Sequence, residues 1–132
     1  MRSIIIDTNF WLLPFERRID LGEQLTRLME PNQYELVLVS AVHNELKTMA
    51  GGPTAAKKTR AARGALGVIE RYTKEGRIRM IERDGPADGV IIGLALELNA
   101  FVATNDRALR ARLEEKKIRA ILLRDEHILD WA

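Results

Sequence analysis

The chain has no cysteine, which excludes a disulfide framework and a thiolate metal site. Histidine is scarce too, with only His43 and His127. No apolar run is long enough to span a membrane. Charged Arg2 is followed by a short apolar run and then Asp7, so no signal peptide is expected and the expected location is cytoplasmic, with no membrane partner. No glycine-rich phosphate loop of the G-x-G-x-x-G or Walker type follows the first apolar stretch. Internal repeats, low-complexity tracts and linkers are also missing. Strong charge of one sign is absent, because 21 basic and 19 acidic side chains leave a net charge of +2.

What is present suits one globular domain over residues 1–132. The chain is 46% hydrophobic and 30% charged, an ordinary soluble composition with enough length for a sizeable core. Ser3–Asp7 reads as a continuous apolar strand, the pattern of a strand covered on both faces. Residues 10–30 read as helix in two pieces, with the joint at Pro14 and the polar ERRID stretch. Tyr34–Ser40 reads as a second strand, and Ala41–Ala50 as a helix with Ser40 as its N-cap. GGP at 51–53 breaks the chain. A long helix is expected from Thr54 to Glu75, ended by Gly76. Arg77–Glu82 alternates like a strand, and Pro86 opens an apolar helix over 87–98. Phe101–Thr104 reads as strand, Asp106–Lys117 as charged helix and Ile118–Leu123 as the last strand, before EHILDWA closes the sequence. Strands alternating with helices predict an α/β domain with a mostly parallel five-stranded sheet.

In such sheets, ligands bind beyond the carboxyl ends of the strands. Asp7 follows the first strand directly. Glu45 lies on the helix after the second strand. Asp88 opens the helix after the third, and Asp106 follows the fourth. Each also has a plainer reading. Asp7 suits a turn, and Glu45 suits a solvated helix face. Asp88 complements a helix dipole, and Asp106 suits an N-cap. Together they offer four acids to one rim, with only Lys47 and Arg107 nearby. Clustered unpaired carboxylates repel and must protonate or be neutralised. A divalent cation resolves the conflict, and an all-oxygen set favours Mg²⁺ or Mn²⁺. Four acids suit one ion, or two ions about 4 Å apart. That chemistry activates water against a phosphodiester.

Four short motifs carry a resemblance. They are DTN after the apolar first strand, SAVHNEL after the second, PADGVIIGLA, and VATNDRALRARL after the fourth. In this order and spacing the chain resembles the PIN-domain nucleases over nearly its whole length, the rRNA-processing type and the VapC-type toxins in particular. The resemblance implies a Rossmann-like sheet of order 3-2-1-4-5 and Mg²⁺- or Mn²⁺-dependent cleavage of single-stranded RNA. It also implies a homodimer, with either an antitoxin protein or ribosome-assembly factors as partners. Asp7, Glu45, Asp88 and Asp106 match the family's acidic, metal-holding and catalytic positions. Asn9 and Thr104 match its supporting hydrogen bonders. One departure is Ala87-Asp88, where rRNA-processing relatives often carry paired acids.

On this reading Asp7, Asp88 and Asp106 centre the metal, and Glu45 acts through water or positions the nucleophile. His43 lies two positions from Glu45 on one helix and points elsewhere, so no histidine serves as base. An acidic rim repels RNA, so cations must hold the backbone. The stretch KKTRAAR at 57–63 holds four cations and no acid, making Lys47, Lys57, Lys58, Arg60 and Arg63 the RNA-binding candidates. Arg107, Arg110 and Arg112 form a second cationic run, followed by Glu114 and Glu115. Phe10, Trp11 and Phe15 are expected to pack in the core or against a second copy rather than stack on bases. Phosphatases that need D-x-D after the first strand do not fit D-T-N. Receiver domains need an aspartate and a lysine after later strands, and the last strand here ends in Arg124-Asp125. The competing function is a PIN fold that binds RNA or a protein without cutting.

Overall fold

The computed structural model describes residues 1–132. Six strands form one sheet: β1 (Arg2–Ile6), β2 (Tyr34–Val39), β3 (Ile78–Ile81), β4 (Phe101–Ala103), β5 (Ala120–Arg124) and β6 (Ile128–Trp131). Their order is β3-β2-β1-β4-β5-β6. The first five run parallel, and β6 pairs antiparallel with β5. The order 3-2-1-4-5 is therefore as expected, with one strand added at the edge.

The triple isoleucine explains the centre of the sheet. Ile4, Ile5 and Ile6 are fully buried, because β1 is flanked by β2 and β4 and covered on both faces. Each buried side chain of this size contributes about 1.5–3 kcal/mol. They belong to one cluster of 35 buried residues, so the strand ends against a rigid wall rather than a loop.

Seven helices cover the sheet: α1 (Thr8–Trp11), α2 (Leu13–Glu16), α3 (Leu21–Met29), α4 (Ser40–Ala50), α5 (Lys57–Lys74), α6 (Ala87–Leu98) and α7 (Arg107–Glu115). The chain steps from β1 out to β3 and then back across to β4 and β5. Right-handed crossovers put α1–α5 on one face and α6 and α7 on the other. Consistent with this, α4 packs on α1 and α5, and α6 lies against β1, β2 and β4.

Four expectations are corrected. The segment 10–30 breaks twice, not once. Pro14 sits in the first turn of α2, where its missing N–H costs nothing. A second break follows at ERRID, where Arg18 is left-handed and Asp20 caps α3 by accepting from the Glu23 N–H. Ser40 is not the cap of α4 but its first residue; its hydroxyl exchanges hydrogen bonds with Arg83 instead. Helix α5 starts at Lys57, because the preceding residues turn, with the Ala56 N–H donating to Pro53 O. Finally, the closing residues form β6. Asp125 and Glu126 both take positive φ, 54° and 63°, the geometry of a tight hairpin turn. Gly76, at φ 72°, follows the end of α5 as expected.

Candidate active site

Reversal of strand order beside β1 opens the crevice between β1 and β4. Asp7 stands at its mouth. Its N–H donates to Ala103 O at 3.0 Å, so the β1–β4 ladder runs one residue past the strand. The residue is 7% exposed and both carboxylate oxygens are held. Oδ1 accepts from the Thr8 N–H at 2.8 Å, and Oδ2 accepts from Thr104 Oγ1 at 2.7 Å. Burial nevertheless pushes the Asp7 carboxyl above its ordinary value. The two hydrogen bonds pull it down, and the charges of Asp88 and Glu45 push it up again. Those two acids are thus close enough to be felt electrostatically.

Thr104 is fully buried and connects two acids. While donating to Asp7, its Oγ1 accepts from the Asp106 N–H at 3.1 Å. Asp106 in turn caps α7, with Oδ1 accepting from the Leu109 N–H at 3.0 Å. Asn105 between them accepts from the Leu123 N–H at 2.9 Å, fastening this turn to β5. The TND triplet therefore fixes the rim after β4.

The support expected from Asn9 comes from Thr8. Asn9 is exposed, and no hydrogen bond joins it to the four acids. Successive residues of α1 rotate by about 100°, so Thr8 faces inward and Asn9 outward. Thr8 Oγ1 donates to Glu45 Oε2 at 2.6 Å. This bond ties the end of β1 to α4 and was missed in the sequence. The polar middle residue of DTN was its only signal.

Seven ion pairs decorate the molecule, and none involves Asp7, Glu45, Asp88 or Asp106. The rim acids are therefore left without cationic partners. No three acidic or histidine side chains stand close enough together to cage a metal ion ready-made. By chemistry the set still fits a hard divalent cation, since it offers only oxygen donors around a buried carboxylate already under repulsion. His43 is half-buried, and burial followed by the Lys47 charge holds its imidazole below the usual value.

Residues 4–126 match the family model described as "PIN like domain". The chain belongs to the PIN-like domain family. A curated relative, Ribonuclease VapC4 of Methanocaldococcus jannaschii, is 28% identical over 129 residues, covering 96% of this chain and 93% of that one. The solved PIN domain endonuclease Utp24 superposes with a TM-score of 0.72 at 21% identity, covering 98% of this chain and 90% of that one. A domain of a functionally unknown protein from M. jannaschii gives 0.66 at 17% identity, with 94% and 92% covered. These two structures share the fold.

The cationic candidates of this PIN-like domain divide. Lys58 is paired with Glu16 at 2.7 Å. Arg60 and Arg63 donate to the backbone carbonyls of Ala55 and Ala50, bracing the turn between α4 and α5. Lys47 and Lys57 are exposed and have no ion-pair partner. Packing of α2 on α5 adds Arg17 and Arg18, which the sequence reading omitted. They join Lys57, Lys58 and Arg60 around a groove of about 760 Å³. Phe10 and Trp11 are core residues, as expected, but Phe15 is 45% exposed and borders the same groove.

Proposed function

We propose that this PIN-like domain is a metal-dependent endoribonuclease that hydrolyses single-stranded RNA. The observation that carries the reading is the unpartnered set of acids around Asp7. A carboxylate pushed upward by burial first, and further by two neighbouring acids, is one whose ionised form a divalent cation would stabilise. Asp7, Asp88 and Asp106 would hold Mg²⁺ or Mn²⁺, with Glu45 acting at longer range. Bound there, the ion supplies Lewis acidity toward the phosphodiester and makes the attacking water easier to deprotonate.

The chain's own residues supply positioning. Thr104 donates to the Asp7 carboxylate, which favours its ionised form against the effect of burial, and links it to Asp106. Thr8 holds Glu45 over the end of β1, where Glu45 can orient the water. Lys47 and Lys57 hold RNA phosphates, joined by Arg18, which has no ion-pair partner. Phe15 offers one exposed ring for a base to stack on. The relative named Ribonuclease VapC4, matched over nearly its whole length, supports RNA as substrate. It favours a toxin with an antitoxin partner over a role in rRNA processing. A homodimer rests on the family resemblance, and a cytoplasmic location on the sequence expectation of no signal peptide. No helix is long and apolar enough to cross a membrane.

One observation favours a second reading, a PIN module that binds RNA or a protein without cutting. It is the absence of any ready-made three-ligand cage. Mn²⁺-dependent degradation of a single-stranded RNA separates the two. The wild type should cut, and Asp7→Asn should lose roughly 10²-fold or more of the rate, the loss typical when a key electrostatic group is removed. Equal rates in the two preparations overturn the assignment. Metal-independent binding without cleavage establishes the binding module.

A further inference from the structure

The second cationic run of the sequence has a place in the fold that the reaction above does not use. Helix α7 and β5 enclose a cavity of about 660 Å³ on the sheet face opposite α4 and α5. Five of its lining side chains are cations: Arg107, Arg110, Lys117, Arg119 and Arg124. Glu114 is its one acidic side chain. Arg124 is occupied by Asp130 at 3.0 Å. The other four cations take part in no ion pair of the structure, nor does Glu114. Arg110 Nε is buried and has no hydrogen-bond partner. A guanidinium donor taken from water and left unpaired costs more than a neutral group would, so its environment is incomplete.

We propose that this cavity is a second phosphate-binding site, which holds the backbone of the RNA strand on the α7 side of the cut. The ligand chemistry follows from the donors. Guanidinium forks match the oxygens of a phosphodiester in pairs, and Arg binds phosphate wherever planar two-point recognition is needed. The direction follows from topology. Arg107 adjoins Asp106 on the rim, whereas Lys117 and Arg119 lie at the far end of the helix. Nine residues of α7 extend about 13 Å, so the site is a track leading away from the carboxylates rather than a point. Arg119 stacks over Trp131 at 4.1 Å, which holds its fork in place at the far end. The proposal rests on the RNA reading above for its substrate. It adds a second contact surface, on the opposite layer from Lys57.

The test is RNA binding, which does not require cutting. Fluorescence anisotropy of a labelled single-stranded RNA is measured over a salt series without divalent metal. Arg110→Gln/Arg119→Gln is compared with wild type and with Arg112→Gln, a cation of the same helix outside the cavity. Circular dichroism checks that each variant is folded, and Arg119→Gln alone serves if the pair is not. The double variant should bind about tenfold or more weakly, with the slope of log K against log salt reduced by about 2. Arg112→Gln should bind like wild type. Unchanged affinity and slope in the folded double variant overturn the proposal and leave the cavity to an acidic protein segment. A mononucleotide competing as well as the oligonucleotide also overturns it, since the cavity would then hold a free nucleotide. Failure of cleavage in the Asp7 experiment, with these binding losses intact, sinks the nuclease reading and spares this one.

Discussion

The four carboxylates on the rim and the seven ion-paired carboxylates on the flanks of this molecule are held in opposite ways. On the flanks, Glu16, Glu35, Glu70, Glu75, Glu97, Glu126 and Asp130 each sit within 4.0 Å of a lysine or arginine. On the rim, Asp7 has hydroxyl and backbone donors, Glu45 has a threonine, and Asp106 caps a helix, but none has a cation. The chain does not lack cations to supply. It places them on α5, on α7 and around the sheet edges. Hydrogen bonds from neutral donors orient a carboxylate while leaving its charge uncompensated, so the rim keeps a field that a bound cation can satisfy. Ion pairs on the flanks cancel that field and contribute little else, because exposed pairs are screened.

Thr104 offers the largest break in this comparison. Thr104→Val removes the donor to Asp7 Oδ2 and the acceptor of the Asp106 N–H at one stroke. Leaving a buried carboxylate oxygen unsatisfied should cost about 1–3 kcal/mol at neutral pH. The lost bond favours the ionised carboxyl, so the deficit should shrink when Asp7 is protonated. Urea unfolding at neutral pH and at about pH 4 checks both points. A deficit independent of pH would mean that Thr104 matters for packing and not for the charge of Asp7.

Asp7→Asn should act in the other direction in metal-free protein. The Asp7 carboxyl lies above its ordinary 3.8 in the folded state. Folding is therefore favoured by this group below that value, and the benefit is lost as pH rises through the folded pKa. At neutral pH the wild type carries a buried, repelled charge that asparagine removes. The variant should melt higher by roughly 2–4 °C, and the gap should close on acidification. Mn²⁺ should raise the melting point of the wild type alone, since binding to the folded state stabilises it by mass action. A variant that melts lower than wild type at neutral pH, in the absence of metal, would show that the rim is not under electrostatic stress.

Much of this rim was legible in the sequence because its signals are local. An isoleucine run ending on Asp7 marks a buried strand and its post. The TND triplet marks a turn whose three side chains all bond within their own neighbourhood or to the adjacent strand. Thr8 was not legible, because its partner Glu45 is 37 residues away and is met only when α4 packs on α1. Arg17 and Arg18 were missed for the same reason, reaching Lys57 through the contact of α2 with α5. Strand β6 escaped because its hairpin turns on Asp125-Glu126 rather than on the asparagine-glycine pair that usually announces positive φ. Arg60 and Arg63 looked free in a basic run, and only the fold reveals the carbonyls they bind.

The smallest effect, and the sharpest control, is on the flank. Arg83 and Glu97 form a two-point pair with both contacts at 3.0 Å. Hydrogen bonding to Arg83, followed by its charge, holds the Glu97 carboxyl below the ordinary value. That contribution is present above the ordinary carboxylate range and is lost as pH falls, the reverse of Asp7. Yet both side chains are about half exposed, at 47% and 53%, so solvent and salt screen most of it. Glu97→Gln should lower the melting temperature by no more than about a degree at low ionic strength. About 1 M salt should erase even that. Neutralising an acid would then stabilise the protein at the rim and slightly destabilise it on the flank. If both substitutions moved the melting point the same way, partnered and unpartnered carboxylates would not differ in kind, and the rim would lose its claim to a cation.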